Sequence, residues 1–292
     1  MALSRSTLVS VQWLKQKISS KINNFRLLDA SWHLPNTGRD AKVEFAQNHI
    51  PGALFFDIDN CAVEDTDLPH MIPSAQVFEN YVGGLGINNE THVVVYDNNP
   101  TFPLFSAQRV WWMLRLFGHE NTSLLEGGLP KWLAEGGEVT QEVTPIQKQT
   151  FTAKFNPALI KYYGDIERNI SASAFTLVDA RPQGRFQGIA PEPRDDTKPG
   201  CIPGSKNIPF LALMNAEDRT VKRPEELKAI FQEAGIDIEK HFVVSCGSGI
   251  SACILALAAH LCGNDDVAVY DGAWTEWYLR APAELKLNVP KD

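Results

Sequence analysis

The 292 residues predict an α/β protein of two tandem domains, each a parallel sheet flanked by helices, and three observations predict it. The chain repeats itself: four segments recur in the same order at offsets of 145 to 152 positions, which is the mark of a duplicated unit. Within each copy, short Val-rich apolar runs alternate with longer amphipathic stretches, as expected of buried parallel strands covered by helices on both faces. Between the copies lies EVTQEVTPIQKQT, which is polar and lacks helical periodicity.

The first copy spans residues 1–138, the connecting stretch 139–154, and the second copy 155–292. RLLDAS (26–31) is answered by TLVDAR (176–181), and HIPGALFFDI (49–58) by CIPGSKNIPF (201–210). THVVVYDNN (91–99) is answered by KHFVVSCGS (240–248), and LLEGGLPKWLAEG (124–136) by AVYDGAWTEWYLRA (268–281). HVVVYD, FVVSC and VAVY read as strands; SAQRVWWMLRLFG and SACILALAAHLCG read as helices. The residues before Asp29 carry Arg5, Lys15, Lys17, Lys21 and Arg26 and no acid, a composition like that of a transit peptide. Leu8, Val11, Leu14 and Ile18 nevertheless fall roughly on one helical face behind Ser6 or Thr7 as cap, and PALIKYYGDIERNI stands at the same place in the second copy. A first amphipathic helix is expected here.

At 44% hydrophobic residues each copy is large enough to bury its own core. A net charge of -8 argues against nucleic-acid and anionic-membrane partners, which need a basic footprint. No apolar run approaches a membrane span. The five cysteines, at 61, 201, 246, 253 and 262, are odd in number and form no C-x-x-C pair, so neither a disulfide framework nor a zinc site is expected. That usage suits a reducing compartment: the cytoplasm is expected, with the mitochondrion as the alternative.

In VVS-CGSGIS-ACILALAAHLCG, Cys246 is the first loop residue between a strand and a helix. Ligands of parallel sheets collect at such carboxyl ends. Gly247 and Gly249 let the backbone curl so that amides and the positive end of the helix face an anion at position 246. Settings of this kind lower a thiol from about 8.5 into the range of roughly 3.5 to 7.5. Cys253 and Cys262 fall in the apolar helix, Cys61 and Cys201 in loops, and all four are read as structural, as are His49, Asp29 and Asp179.

FAQNHIPGALF and VYDGAWTEWY are similar to the two signatures of the rhodanese family, and CGSGIS is similar to the loop of its mercaptopyruvate-using members. The resemblance covers nearly the whole chain. It implies two rhodanese-like domains, no metal or organic cofactor, and transfer of sulfur from 3-mercaptopyruvate through a Cys246 persulfide to a small thiol, thioredoxin or cyanide. It implies a silent first domain, since Asp97 stands where Cys246 stands in the second. By the same resemblance Arg185 and Arg194 bind the donor, and Ser248 works with Asp59 and His70, reaching across from the first domain, as a Ser/His/Asp-like relay. Ile250 and Ser251 complete the donor-binding loop, and they replace the more usual Val-Thr, while Cys201 replaces the more usual His.

Charge points the same way. Thiosulfate, a compact dianion, calls for cations in the loop, and Gly247 and Ser248 offer none, whereas one arginine fork suits a keto-acid carboxylate. Thiosulfate remains the alternative donor and a non-enzymatic binding module the alternative role. A cysteine phosphatase is disfavoured, because its C-x5-R loop would need an arginine at Ala252.

Overall fold

The computed structural model describes residues 6–20 and 24–290. The two copies build the same sheet. In the first, strands β1 (Leu8–Val9), β2 (Phe25–Asp29), β3 (Ala53–Phe55), β4 (His92–Tyr96) and β5 (Thr122–Leu125) lie parallel in the order β1-β5-β4-β2-β3. In the second, β6 (Ile160–Lys161), β7 (Thr176–Asp179), β8 (Lys206–Asn207), β11 (Phe242–Ser245) and β12 (Val267–Tyr270) lie parallel in the order β6-β12-β11-β7-β8. The intervening β9 (Met214–Asn215) and β10 (Thr220–Val221) form a separate antiparallel hairpin.

Helices α1 (Val11–Ser19), α2 (Ala41–Gln47), α3 (Ala75–Gly84), α4 (Ala107–Leu116) and α5 (Gly128–Ala134) serve the first sheet. The second has α6 (Tyr163–Ala172), α7 (Gln183–Phe186), α8 (Pro224–Glu233), α9 (Ala252–Leu261) and α10 (Ala273–Arg280). Strands β4, β11 and β12 are buried at every position, which is why they read as unbroken apolar runs.

Two expectations need correction. The N-terminal helix starts later than its periodicity suggested: Leu8 and Val9 pair with Leu124 and Leu125 as an edge strand, and the cap is Ser10, whose hydroxyl accepts the Trp13 N–H at 3.2 Å. A two-residue strand leaves no alternation to detect. Arg5 and Lys21 lie outside the described residues.

The two cores are also not separate. Helix α9 is apolar around its circumference and buried from Ala252 to Ala259, while α4 is buried at every position but Arg115. These are helices of an interior rather than of a surface. They pack against each other across the domains, so one apolar cluster runs from Val95 through Trp111 and Trp112 to Leu255 and Val244. Residues 141–156 form neither helix nor strand and run along the first domain, with Phe151 buried and the Gln149 N–H donating to the Gly83 carbonyl at 2.9 Å.

Candidate active site

Strand β11 delivers Cys246 at its carboxyl end, and the next residues are fastened to the start of α10. The Cys246 carbonyl accepts the Trp274 N–H at 3.0 Å, and the Gly247 carbonyl accepts the Thr275 N–H at 3.0 Å and its hydroxyl at 2.8 Å. Gly249 then turns the chain with φ +81°, which favours glycine, and its N–H donates to the Cys246 sulfur at 3.2 Å. Of the loop amides expected around the sulfur, this is the one within hydrogen-bond reach among the described residues. The other four thiols are raised by burial, that of Cys253 to about 12, so they are poor nucleophiles at neutral pH.

The first domain shows the same cradle already filled. Asp97 follows β4 as Cys246 follows β11, and its Oδ2 accepts the N–H groups of Phe105, Ser106 and Ala107 at 2.9, 2.9 and 3.0 Å. Three amides at the start of α4 thus hold a built-in anion. The loop from Asp97 to Ser106 is longer than the one from Cys246 to Ser251, and it sends Phe102 and Phe105 into the cavity of the second domain.

That cavity, of about 120 Å³, is lined by Cys246, Gly247, Ser248, Ile250 and Ser251, by Arg185, Glu192 and Arg194, and by an aromatic wall of Trp32, Phe102, Phe105 and Phe210. A larger hollow of about 510 Å³ opens at the amino ends of β7 and β11, around Thr176 and Phe242, far from the thiol.

The two arginines differ. Arg185 is held by Glu192, with Nε 3.0 Å from Oε2 and Nη2 on the same oxygen. The other oxygen of Glu192 accepts Arg181 Nη1 at 2.7 Å, and Arg181 is matched by Asp179 at 2.6 Å. These charges cancel in pairs. Arg194, half-buried, has no carboxylate within ion-pair distance among the described residues; burial pulls its pKa below the ordinary arginine value, against the pull of Asp196 and Asp59. Among the charged side chains that line the cavity, Arg185 and Glu192 cancel each other, which leaves Arg194 as the lining cation without an ion-pair partner among the described residues. Gly247 leaves room for Arg185, since a Cβ there would stand 2.9 Å from Nη2.

Asp59 and His70 meet as a pair, Oδ1 to Nδ1 at 2.6 Å, and Trp32 Nε1 donates to the other Asp59 oxygen at 3.1 Å. His70 is 5% exposed and takes φ +62°, a conformation that costs a non-glycine residue energy and is typical of functional loops. Burial, reinforced by Arg109 and Arg194, lowers its pKa against the pull of Asp59 and so favours the neutral imidazole. Burial works to raise the Asp59 carboxyl, but His70 and Trp32 outweigh it and hold the pKa below the usual range. Neither ring nitrogen of His70 makes an aligned hydrogen bond among the described residues, Nδ1 meeting Asp59 by close contact alone, and no hydrogen bond joins the ring to Ser248. Trp32, edge-on to His70 at 4.7 Å, links the pair to the cavity wall.

Sequence reasoning missed the residues that assemble this site. Arg219, at the tip of the β9–β10 hairpin, donates to the carbonyls of Asn99, Pro100, Phe102 and Gly127 and so sets the loop that carries the aromatic wall. Arg109 and Asp271 form an ion pair at 2.7 Å, fully buried between the domains. An arginine inside the apolar stretch QRVWWML was a signal, but its partner lies 162 residues away.

The family model described as the Rhodanese-like domain matches residues 10–135 and 163–280. The chain belongs to the rhodanese family. It is 49% identical to 3-mercaptopyruvate sulfurtransferase of Rattus norvegicus over 279 residues, covering 95% of this chain and 93% of the relative. It is 47% identical to thiosulfate sulfurtransferase of the same animal over 289 residues, covering 97% and 96%. The crystal structure of SseA from Escherichia coli, a 3-mercaptopyruvate sulfotransferase, superposes with a TM-score of 0.82 at 34% identity, covering 92% of this chain and 99% of SseA. The fold and the enzyme class read from the motifs both stand. Two donors are represented among relatives of nearly equal similarity, so overall identity does not choose between them. Among the described residues of this rhodanese-family enzyme, no cluster of His, Cys, Asp or Glu is arranged to hold a metal, and no helix is long and apolar enough to cross a membrane.

Proposed function

We propose that this rhodanese-family protein is a sulfurtransferase whose Cys246 takes the sulfur of 3-mercaptopyruvate, releases pyruvate, and passes the sulfur to a thiol acceptor. The observation that carries the choice of donor is the charge of the cavity: Arg194 is unpaired, Arg185 is matched by Glu192, and the sulfur loop contributes no cation. A single negative charge fits that balance better than the two of thiosulfate.

In the reaction, the Cys246 thiolate attacks the donor's sulfur, an S–S bond forms, the C–S bond breaks, and its electron pair becomes an enolate. One proton moves overall from the donor's sulfur to its carbon. His70, which meets Asp59 and which burial biases toward the neutral form that a base requires, is the candidate to hold that proton for one step, with Ser248 on the cavity wall as the relay. Arg194 and Arg185 grip the carboxylate and keto oxygen, and the Gly249 amide steadies the charged sulfur. The acceptors expected from the family resemblance are small thiols, thioredoxin and cyanide.

The test is to mix purified protein with 3-mercaptopyruvate and measure pyruvate, with mass spectrometry of the Cys246 peptide for the added sulfur of about 32 Da. kcat/KM for 3-mercaptopyruvate is expected to exceed that for thiosulfate, and Cys246→Ala is expected to abolish both activities. Equal turnover by Cys246→Ala refutes the nucleophile; a higher value for thiosulfate refutes the donor.

A further inference from the structure

Two loops from different domains close on one guanidinium. Arg109, on α4, donates Nη2 to Asp271 Oδ1 at 2.7 Å and to the His70 carbonyl at 2.6 Å, and donates Nη1 to the Gly249 carbonyl at 3.2 Å. Its plane lies over Trp112, 4.6 Å from the ring centre. The second oxygen of Asp271 accepts the Ile72 N–H at 2.8 Å. The pair therefore grips residues 70 and 72 of the first domain and residue 249 of the second. His70 is the partner of Asp59, and Gly249 is the donor to the Cys246 sulfur. The fit is close, since a Cβ on Gly249 would stand 2.9 Å from Arg109 Nη1 and 2.9 Å from the Asp271 carbonyl.

We propose that Arg109, braced by Asp271, is a positioning residue for sulfur transfer: it sets the Gly249 peptide that meets the Cys246 sulfur and holds the backbone of His70, the partner of Asp59. This is how the silent first domain contributes to chemistry that it does not perform. Arg109 lines no part of the cavity. Arginine is required because one planar fork must serve three acceptors from two domains, which the point charge of a lysine does not do. The proposal rests on Cys246 being the sulfur carrier.

The experiment uses the full chain with Arg109→Lys and, separately, the double variant Arg109→Met/Asp271→Leu. Replacing a buried ion pair by apolar residues of similar volume is often neutral or stabilising, so the double variant removes the positioning bonds while keeping a packed interface. The deciding readout is the pH dependence of Cys246 alkylation by iodoacetamide, followed on the Cys246 peptide, and it does not depend on any sulfur donor. In a variant that melts within about 3 °C of the parent, the midpoint is expected about one pH unit higher, a tenfold loss of thiolate at a given pH. With 3-mercaptopyruvate, kcat is expected to fall about tenfold or more while KM changes less than about threefold. A folded variant that keeps the parent's midpoint overturns the proposal. Failure of both variants to fold also overturns it, because the pair is then a folding element. A parent that does not turn over 3-mercaptopyruvate counts against the donor assignment, and the alkylation profile still judges Arg109.

Discussion

Arg194→Ala is the perturbation with the clearest expected magnitude. Arg194 is the cation lining the cavity that has no ion-pair partner among the described residues, since Arg185 is tied to Glu192 and Arg181 to Asp179. Truncating one partner of a fully buried charge pair costs about 2 to 5 kcal/mol, whereas an exposed pair is worth about 0 to 1 kcal/mol. Arg194 is half-buried, so its hold on a donor carboxylate lies between these limits, at about 2 kcal/mol, or about thirtyfold in affinity. The carboxylate is charged before and after sulfur leaves, so the loss belongs to ground state and transition state alike. It is expected in KM, with kcat within about threefold of the parent. Arg194→Lys keeps the charge without the fork and is expected to lose about fivefold. The assay is steady-state pyruvate release from 3-mercaptopyruvate with a fixed thiol acceptor. An unchanged KM in folded Arg194→Ala, or a fall in kcat alone, refutes the claim that Arg194 binds the carboxylate.

Glu192→Gln leaves Arg181 and Arg185 short of a buried counter-charge, so the melting temperature is expected to fall by several degrees, as for other broken buried pairs. The freed charge is expected to raise the ratio of thiosulfate to 3-mercaptopyruvate kcat/KM about tenfold; an unchanged ratio removes charge balance as the basis of donor choice. Asp29 supplies a pH test. Burial raises its pKa from 3.8 to about 6, against hydrogen bonds from Ser31, so the native state binds this proton more tightly than the unfolded chain. Its contribution is fully present below pH 3.8 and is lost as pH rises through about 6. Asp29→Asn keeps an oxygen acceptor without the charge, so its melting temperature relative to the parent is expected to increase between pH 4 and 7. A difference that stays flat across that range contradicts the buried-carboxyl account.

The legible parts of this protein were those with a local cause. The duplication stood in four ordered echoes, and the two sheets repeat each other strand for strand, β1 with β6 and β4 with β11. Cys246 was identified by strand, glycine turn and helix, all within ten residues of chain. The edge strand Leu8–Val9 was not legible, because pairing with β5, more than a hundred residues away, makes it a strand. Asp59, His70, Arg185 and Arg194 came from a family likeness. The fold brings Asp59 to His70 and both arginines to the thiol's cavity, but gives Arg185 a prior partner in Glu192.

Periodicity, turn chemistry and the strand, glycine turn and helix around Cys246 act over a few residues, so they were written openly along the chain. Charge balance at the thiol, the aromatic wall lent by the first domain, and the Arg109–Asp271 brace join residues far apart in sequence. Such meetings are set by how α4 packs on α9, and packing of that kind leaves no spacing in the primary structure to read.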